Sequence, residues 1–367
     1  MADLKKEDEK EFDLGIACVK VYKNYGSAFT NLALYKYLLD SGQRVLLIEQ
    51  PLSSEISPLS PQNFIDSPYR LEDCARIYSD KEDMRSLNRR CRAFLVGSDQ
   101  LFNYEIYKRI DGFTKLDWVD DGIDKYCYAT SLGVNNLLGP PDEQEDFIRS
   151  LKRFDAVSVR ERGSRDLLKN GFGIDVACVL DPVFLCEKKH YIEMLTPYKS
   201  LASKGYAFCY ILDPDRKKQR IIEDVINAIG CNYFAVSDMW RDEGNIKSLW
   251  DLLTHTHIKN EVWLANIYCS DFVITDSYHA LCFSLIFKKQ FIVLPNEKRG
   301  NDRFESLLEI TGLRDRLLLE GAGTDEIKRL INERIDYSAV SKIIEKERDI
   351  SEEWISKRVL NKQKNAP

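Results

Sequence analysis

The feature that most constrains this chain is a strand, a tight turn, a helix and a second strand within its first fifty residues. LGIACVKVY (residues 14–22) is an apolar, β-branched run of strand length, and AFTNLALYKYLLDSG after the KNYGS turn spaces its apolar residues as a helix does. Ser27 reads as the N-cap and Gly42 as the helix stop. RVLLIEQP adds another short apolar strand, and a helical crossover makes two such strands parallel. The unit recurs. Residues 93–100, 125–133 and 156–164 each read as a buried strand running into a polar loop. A second series begins at residues 205–213, continues through CNYFAVSD and ends with EVWLANIYCSDFVITDSYHALCFSLIFKKQFIVLPN. This alternation specifies an α/β chain with open parallel sheets.

Two series in 367 residues imply two domains. They are placed at 1–190 and 205–336, with the boundary in 187–204, where Pro, Ser and Lys gather. Val340, Ile343, Ile344, Ile350, Trp354 and Ile355 recur in a helical rhythm, so 337–367 reads as a C-terminal helix and tail.

Composition excludes several function classes. Basic residues number 53 against 59 acidic ones, a net charge of -6, which argues against a nucleic-acid partner but leaves room for a local basic patch to touch a membrane. The ten cysteines form no CxxC pair and mostly interrupt apolar runs, as free buried thiols do. The four histidines, His190, His255, His257 and His279, cluster with none of them, so no metal site is expected. The opening MADLKKEDEKEF is too polar for a signal peptide, and no apolar run reaches the ~18 residues of a membrane span. A cytoplasmic protein is expected.

Open parallel sheets bind ligands beyond the carboxyl ends of their strands, which ranks the loops. Asn24, Tyr25 and Gly26 lie between the first strand and its helix, where backbone N–H groups favour an anion or a sugar hydroxyl. A single glycine there does not make a dinucleotide fingerprint. Gly97, Ser98, Asp99 and Gln100 end another strand with groups that suit sugar hydroxyls, although they are also common turn residues. Arg160 ends a third strand and can grip a carboxylate or phosphate through two parallel hydrogen bonds. Asp181 precedes Pro182 and reads as turn grammar. Asp276 and Ser277 sit where an N-cap belongs, with His279 in the first helical turn. A dianionic ligand there would keep the imidazole charged as a general acid, and the alternative is a histidine simply hydrogen-bonded at a helix start. Lys298, Arg299 and Arg303 follow the next strand as three cations in one loop.

The ordered set NYGS, FLVGSDQ, YATSLG, SVRERGS, VLDPVF and WLANIYCSDFVITDSYHALCFSLIFKKQFIVLP resembles the polysaccharide pyruvyl transferase family over most of residues 14–315. The resemblance implies two Rossmann-like domains facing a cleft, as in GT-B glycosyltransferases. It also implies phosphoenolpyruvate as donor substrate, with no resident cofactor, and a sugar acceptor that can be lipid-linked. A chain of this kind would work in the cytoplasm, at the inner face of the membrane where the acceptor is anchored. By the same resemblance His279 would be the acid, Arg160 would bind the donor's phosphate or carboxylate, and Lys298 or Arg299 would clamp its charge. A carboxylate base is wanted, and Asp99 and Asp238 are the candidates. Where many members have an arginine two residues before the histidine, this chain has Ser277, so Lys298, Arg299 or Arg303 would have to compensate or the donor would differ. A GT-B glycosyltransferase using a nucleotide-sugar, or a non-catalytic glycan-binding protein, would share the same scaffold.

Overall fold

The computed structural model describes residues 10–20, 24–51, 74–77, 81–110, 113–133, 136–201, 205–236, 258–318 and 322–361. Seven strands form the first sheet: β1 Phe12–Lys20, β2 Val45–Pro51, β3 Cys74–Ile77, β4 Cys91–Val96, β5 Asp124–Cys127, β6 Ala156–Val159 and β7 Val176–Cys178. Their order is β3-β2-β1-β4-β5-β6-β7, and every pairing is parallel. The second sheet contains β8 Tyr206–Tyr210, β9 Asn232–Val236, β10 Phe272–Thr275 and β11 Gln290–Val293 in the order β11-β10-β8-β9, again all parallel. Each sheet therefore has a switch point where the chain reverses its direction of growth, between β1 and β4 in the first and between β8 and β10 in the second. Loops part at such points and leave a crevice for a ligand.

The helix Tyr25–Asp40 joins the two halves. It is apolar nearly all round, as a helix buried on two faces must be. Leu34, Tyr35 and Leu38 pack on the first sheet, while Tyr25, Phe29, Leu32 and Ala33 belong to the apolar cluster of the second. Tyr25 stacks on Trp263 with ring centroids 5.2 Å apart, and Phe29 meets Trp263 at 5.7 Å. The N-cap of this helix is Asn24, whose Oδ1 accepts from the Ser27 N–H at 3.1 Å, and not Ser27 as the sequence suggested. Capping falls to Asn24 because the helix begins three residues earlier.

The segment between the sheets is itself partly helical. Residues Lys188–Leu195 place Tyr191, Met194 and Leu195 in the same apolar cluster as Tyr206, Phe208 and Phe283. The C-terminal helix Tyr337–Ile355 is not a separate unit either. Val340 packs with the second sheet's core, whereas Ile355, and Val359 just beyond the helix, pack with Leu14 and Ile16 of β1. On the way, Ser351 Oγ accepts from the Leu180 N–H at 2.9 Å. The chain thus returns to its first half and ties the two together. Among the described residues, no helix is long and apolar enough to cross a membrane.

Candidate active site

The carboxyl ends of β4, β6, β7 and β10, with the start of the helix Tyr25–Asp40 after β1, bring one polar cluster together, centred on Asp181. Its side chain is fully buried. Oδ1 accepts from Thr30 Oγ1 at 3.0 Å and from the Val183 N–H at 3.1 Å. Oδ2 accepts from Arg160 Nη1 at 2.6 Å and lies 2.9 Å from Ser98 Oγ. His279 Nε2 lies 3.5 Å from the same oxygen, beyond good hydrogen-bond range, and is buried without a hydrogen-bond partner among the described residues. Burial favours the neutral acid, but His279 and the Arg160 guanidinium outweigh it and hold the Asp181 carboxyl well below the usual carboxylate range. By its sequence Asp181 is only the residue before a proline in a turn. It does cap the turn Pro182–Phe184, yet it is also the hub of this cluster.

Arg160 is engaged through all three nitrogens. Besides Asp181, Nη1 reaches Ser98 Oγ at 3.3 Å, Nε reaches Glu161 Oε1 at 3.3 Å, and Nη2 stands 3.5 Å from Asp99 Oδ1. The Tyr278 ring lies 4.4 Å from the guanidinium carbon, a cation–π contact that also shields it from water. Burial opposes the charge, but the Asp181 carboxylate leads the neighbours that restore it and keep Arg160 firmly ionised. Glu161 responds in the opposite sense: burial pushes its carboxyl up despite the adjacent Arg160. Asp99 holds an unusual backbone with φ 93°, a left-handed conformation that costs a non-glycine residue energy and collects at functional sites.

His279 comes to this cluster from the second sheet. Ser277 caps the helix Tyr278–Ile286, accepting from the Ala280 N–H at 3.5 Å, which puts His279 in the first turn as the sequence implied. A Cβ on Gly26 would lie 2.1 Å from His279 Nδ1, so the imidazole is seated directly against the backbone of the helix Tyr25–Asp40. The first turn of that helix therefore meets His279 across the two halves.

Other expected residues are placed elsewhere. Tyr25 is in the core, its hydroxyl bonded to the backbone of Ile258 at 2.9 Å, so its ring serves packing and not a ligand. Asn24 Oδ1 is occupied in capping. Gly97 has backbone commitments to Ala17 and Thr130, and a Cβ there would meet only ordinary contacts, so no ligand role requires a glycine. Asp276 forms a network of its own. It accepts from the Leu212 N–H at 2.5 Å, the Asp213 N–H at 3.1 Å, Lys218 Nζ at 2.6 Å and Asn296 Nδ2 at 3.2 Å, which leaves no oxygen for a substrate. Arg299 Nε donates to Asp213 at 2.7 Å, and its carbonyl accepts from Gln100 Nε2 at 2.7 Å across the cleft. Lys298 is exposed and lines a separate hollow of about 150 Å³ with Asp215 and Lys217. Arg303, in contrast, is buried near Arg160. Asp238, His255 and His257 lie outside the described residues. Among the described residues, no group of three or more His, Cys, Asp or Glu is arranged to hold a metal ion.

The family model for polysaccharide pyruvyl transferase matches residues 24–298, most of the chain and every residue of the cluster around Asp181. The chain belongs to the polysaccharide pyruvyl transferase family. It is accordingly a transferase, and the family implies a sugar acceptor. No curated protein sequence matches it. Among solved structures, UDP-N-acetylglucosamine 2-epimerase from Rickettsia bellii is similar, with a TM-score of 0.55, 11% identity, and coverage of 95% of this chain and 99% of that one. The UDP-GlcNAc 2-epimerase from Neisseria meningitidis bound to UDP-GlcNAc gives a TM-score of 0.54 at 10% identity over 92% and 94% of the two chains. At such identities the likeness concerns the fold alone. It agrees with two Rossmann-like units facing a cleft in the GT-B arrangement.

Of the residues that a sequence reading left aside, Thr30, Asp181, Glu161 and Tyr278 line the cluster. A local signal existed only for Asp181, as the Asp-Pro cap, and that signal points to a turn.

Proposed function

We propose that this chain transfers the enolpyruvyl group of phosphoenolpyruvate onto two hydroxyls of a sugar, forming a pyruvate ketal. The observation that carries the reading is His279: a buried imidazole with an unpartnered Nε2, 3.5 Å from a carboxylate and in the same cleft as buried arginines. Protonating the methylene carbon of the donor turns its enol phosphate into an oxocarbenium-like centre, and an imidazolium at that position is a fitting acid. One sugar hydroxyl then attacks the cationic carbon and gives its proton to a base. The second hydroxyl attacks the same carbon as the carbon–oxygen bond to phosphate breaks and passes its proton to the departing phosphate, which closes the ketal, and cations favour that leaving group. Asp181 gives the charged imidazole a fixed counter-ion. Asp99 stands at the cleft end of β4 as a candidate base, with Asp238 as the other. The donor is a substrate and not a resident cofactor. The reaction belongs in the cytoplasm, and a lipid-linked acceptor would bring the protein to the inner face of the membrane.

The test is the thermal stability of the purified protein titrated with phosphoenolpyruvate and, separately, with a panel of nucleotide-sugars. A ligand that binds only the folded state raises its melting temperature by mass action. Stabilisation by phosphoenolpyruvate, followed by acceptor-dependent phosphate release, is expected. Stabilisation by a nucleotide-sugar alone would replace this reading with a glycosyltransferase on the same scaffold.

A further inference from the structure

Two guanidiniums are buried in the cleft, and their surroundings differ. Arg160 is held by Asp181, Ser98, Glu161 and Asp99, with Tyr278 covering its face. Arg303, the second residue of the helix Asp302–Thr311, is just 5% exposed. Among the described residues it makes one hydrogen bond, from Nη2 to the Gly300 carbonyl at the long distance of 3.5 Å, and its Nε has no partner. A guanidinium offers five N–H donors, so most of this group's capacity is unused. Burial, with the positive charge of Arg160 next, lowers the Arg303 pKa to about 10, which leaves it charged at neutral pH. The carboxylates of Asp99 and Glu161 act on it as more distant charges and not as ion-pair partners. A buried cation without a paired anion is a standing cost unless a ligand completes it.

The neighbouring cations cannot fill this role. Arg299 is committed to Asp213, and Lys298 is exposed beside a different hollow. The helix carrying Arg303 is also tied to the first half, because Ser306 Oγ accepts from the Arg162 N–H at 3.0 Å. That contact fixes the guanidinium relative to Arg160. Arg303 lies beyond residue 298, where the family match ends.

We propose that Arg303 is the guanidinium that receives the anionic end of the substrate, and that Arg160 is a positioning residue holding Asp181 and Asp99 around His279. This deepens the proposed function and rests on it for the identity of the anion, the carboxylate or phosphate of phosphoenolpyruvate. It reverses the role that the sequence suggested for Arg160. The planar fork would hold either group by two parallel hydrogen bonds, which a lysine cannot reproduce.

The experiment compares wild type, Arg303→Gln and Arg303→Lys by thermal melting without ligand and with phosphoenolpyruvate, inorganic phosphate or a nucleotide-sugar, together with steady-state kinetics. Both variants are expected to melt at or above the wild-type temperature without ligand, to lose the ligand-induced shift, and to raise KM for the donor at least about tenfold with a smaller change in kcat. A variant that keeps the wild-type shift overturns the assignment. So does a variant that melts well below wild type with KM unchanged, because that is the behaviour of a structural arginine. If wild type responds only to a nucleotide-sugar and Arg303→Gln abolishes that response, the assignment stands and the phosphoenolpyruvate reading falls. No response of wild type to any of the three overturns both.

Discussion

Asp181 and Asp276 are both fully buried carboxylates at strand ends, yet they do different work. All the partners of Asp276 come from the second half of the chain: two backbone N–H groups after β8, Lys218, and Asn296 after β11. It binds the loops of one switch point to each other. Apart from the Val183 N–H of its own turn, the partners of Asp181 come from the helix Tyr25–Asp40 and the ends of β4 and β6, and His279 approaches it from the other half. One carboxylate is closed off by fixed donors. The other is opposed by an imidazole nitrogen that no hydrogen bond claims. Burial alone therefore does not separate a structural carboxylate from one in a reactive cluster. The number of donors does not separate them either, since each accepts from four; what does is the His279 nitrogen, unclaimed among the described residues, that faces Asp181 alone.

Three predictions can break or sharpen this contrast. The largest effect is expected from Asp181→Asn, which removes the counter-charge of His279. Turnover should fall about 10²–10⁴-fold, the range typical of losing acid–base assistance, as measured by phosphate release from the donor. A variant with near wild-type turnover would remove Asp181 from the chemistry. Next, Asp276→Ala leaves Lys218 without its carboxylate partner and two N–H groups without their acceptor. Unfolding free energy should drop by about 3–5 kcal/mol in a denaturant titration, while folded protein keeps its turnover. Equal losses of turnover in the two variants would erase the distinction.

The smallest effect concerns pH. The Asp181 carboxyl is depressed, so its contribution to stability is present above the unfolded carboxylate pKa of about 4 and is lost as the pH falls below it. Glu161 is raised, so its ionisation opposes folding as the pH climbs from about 4 towards its folded value. The stability of Glu161→Gln relative to wild type should therefore increase between acid and neutral pH. The corresponding difference for Asp181→Asn should become less unfavourable below about pH 4. Unfolding midpoints at several pH values check both signs, and a flat difference for Glu161→Gln would mean that its carboxyl titrates in the folded protein as it does in the unfolded chain.

Much of this architecture was legible locally. Alternating short apolar strands and helices specified two parallel sheets, and the Thr-Asp-Ser run before the helix Tyr278–Ile286 announced both its cap and the position of His279. Strand period, helix period and capping are properties of neighbouring residues, so a sequence states them directly. The roles of buried polar groups were not legible, because their partners are remote in sequence. Thr30 and Asp181 are 151 residues apart, and Gln100 and Arg299 are 199 apart. Tyr25 stood in a glycine-containing turn suited to a ligand, but its hydroxyl is taken by Ile258 and its ring by Trp263. Lys298, Arg299 and Arg303 were equivalent as three cations in one loop. Lys298 is solvated, Arg299 is paired with Asp213, and Arg303 is buried without a carboxylate partner among the described residues. The sequence determined the scaffold and which loops face the cleft. Tertiary packing alone decided which of their charges are satisfied, because a side chain's electrostatic partners are chosen by the fold and not by its neighbours in the chain.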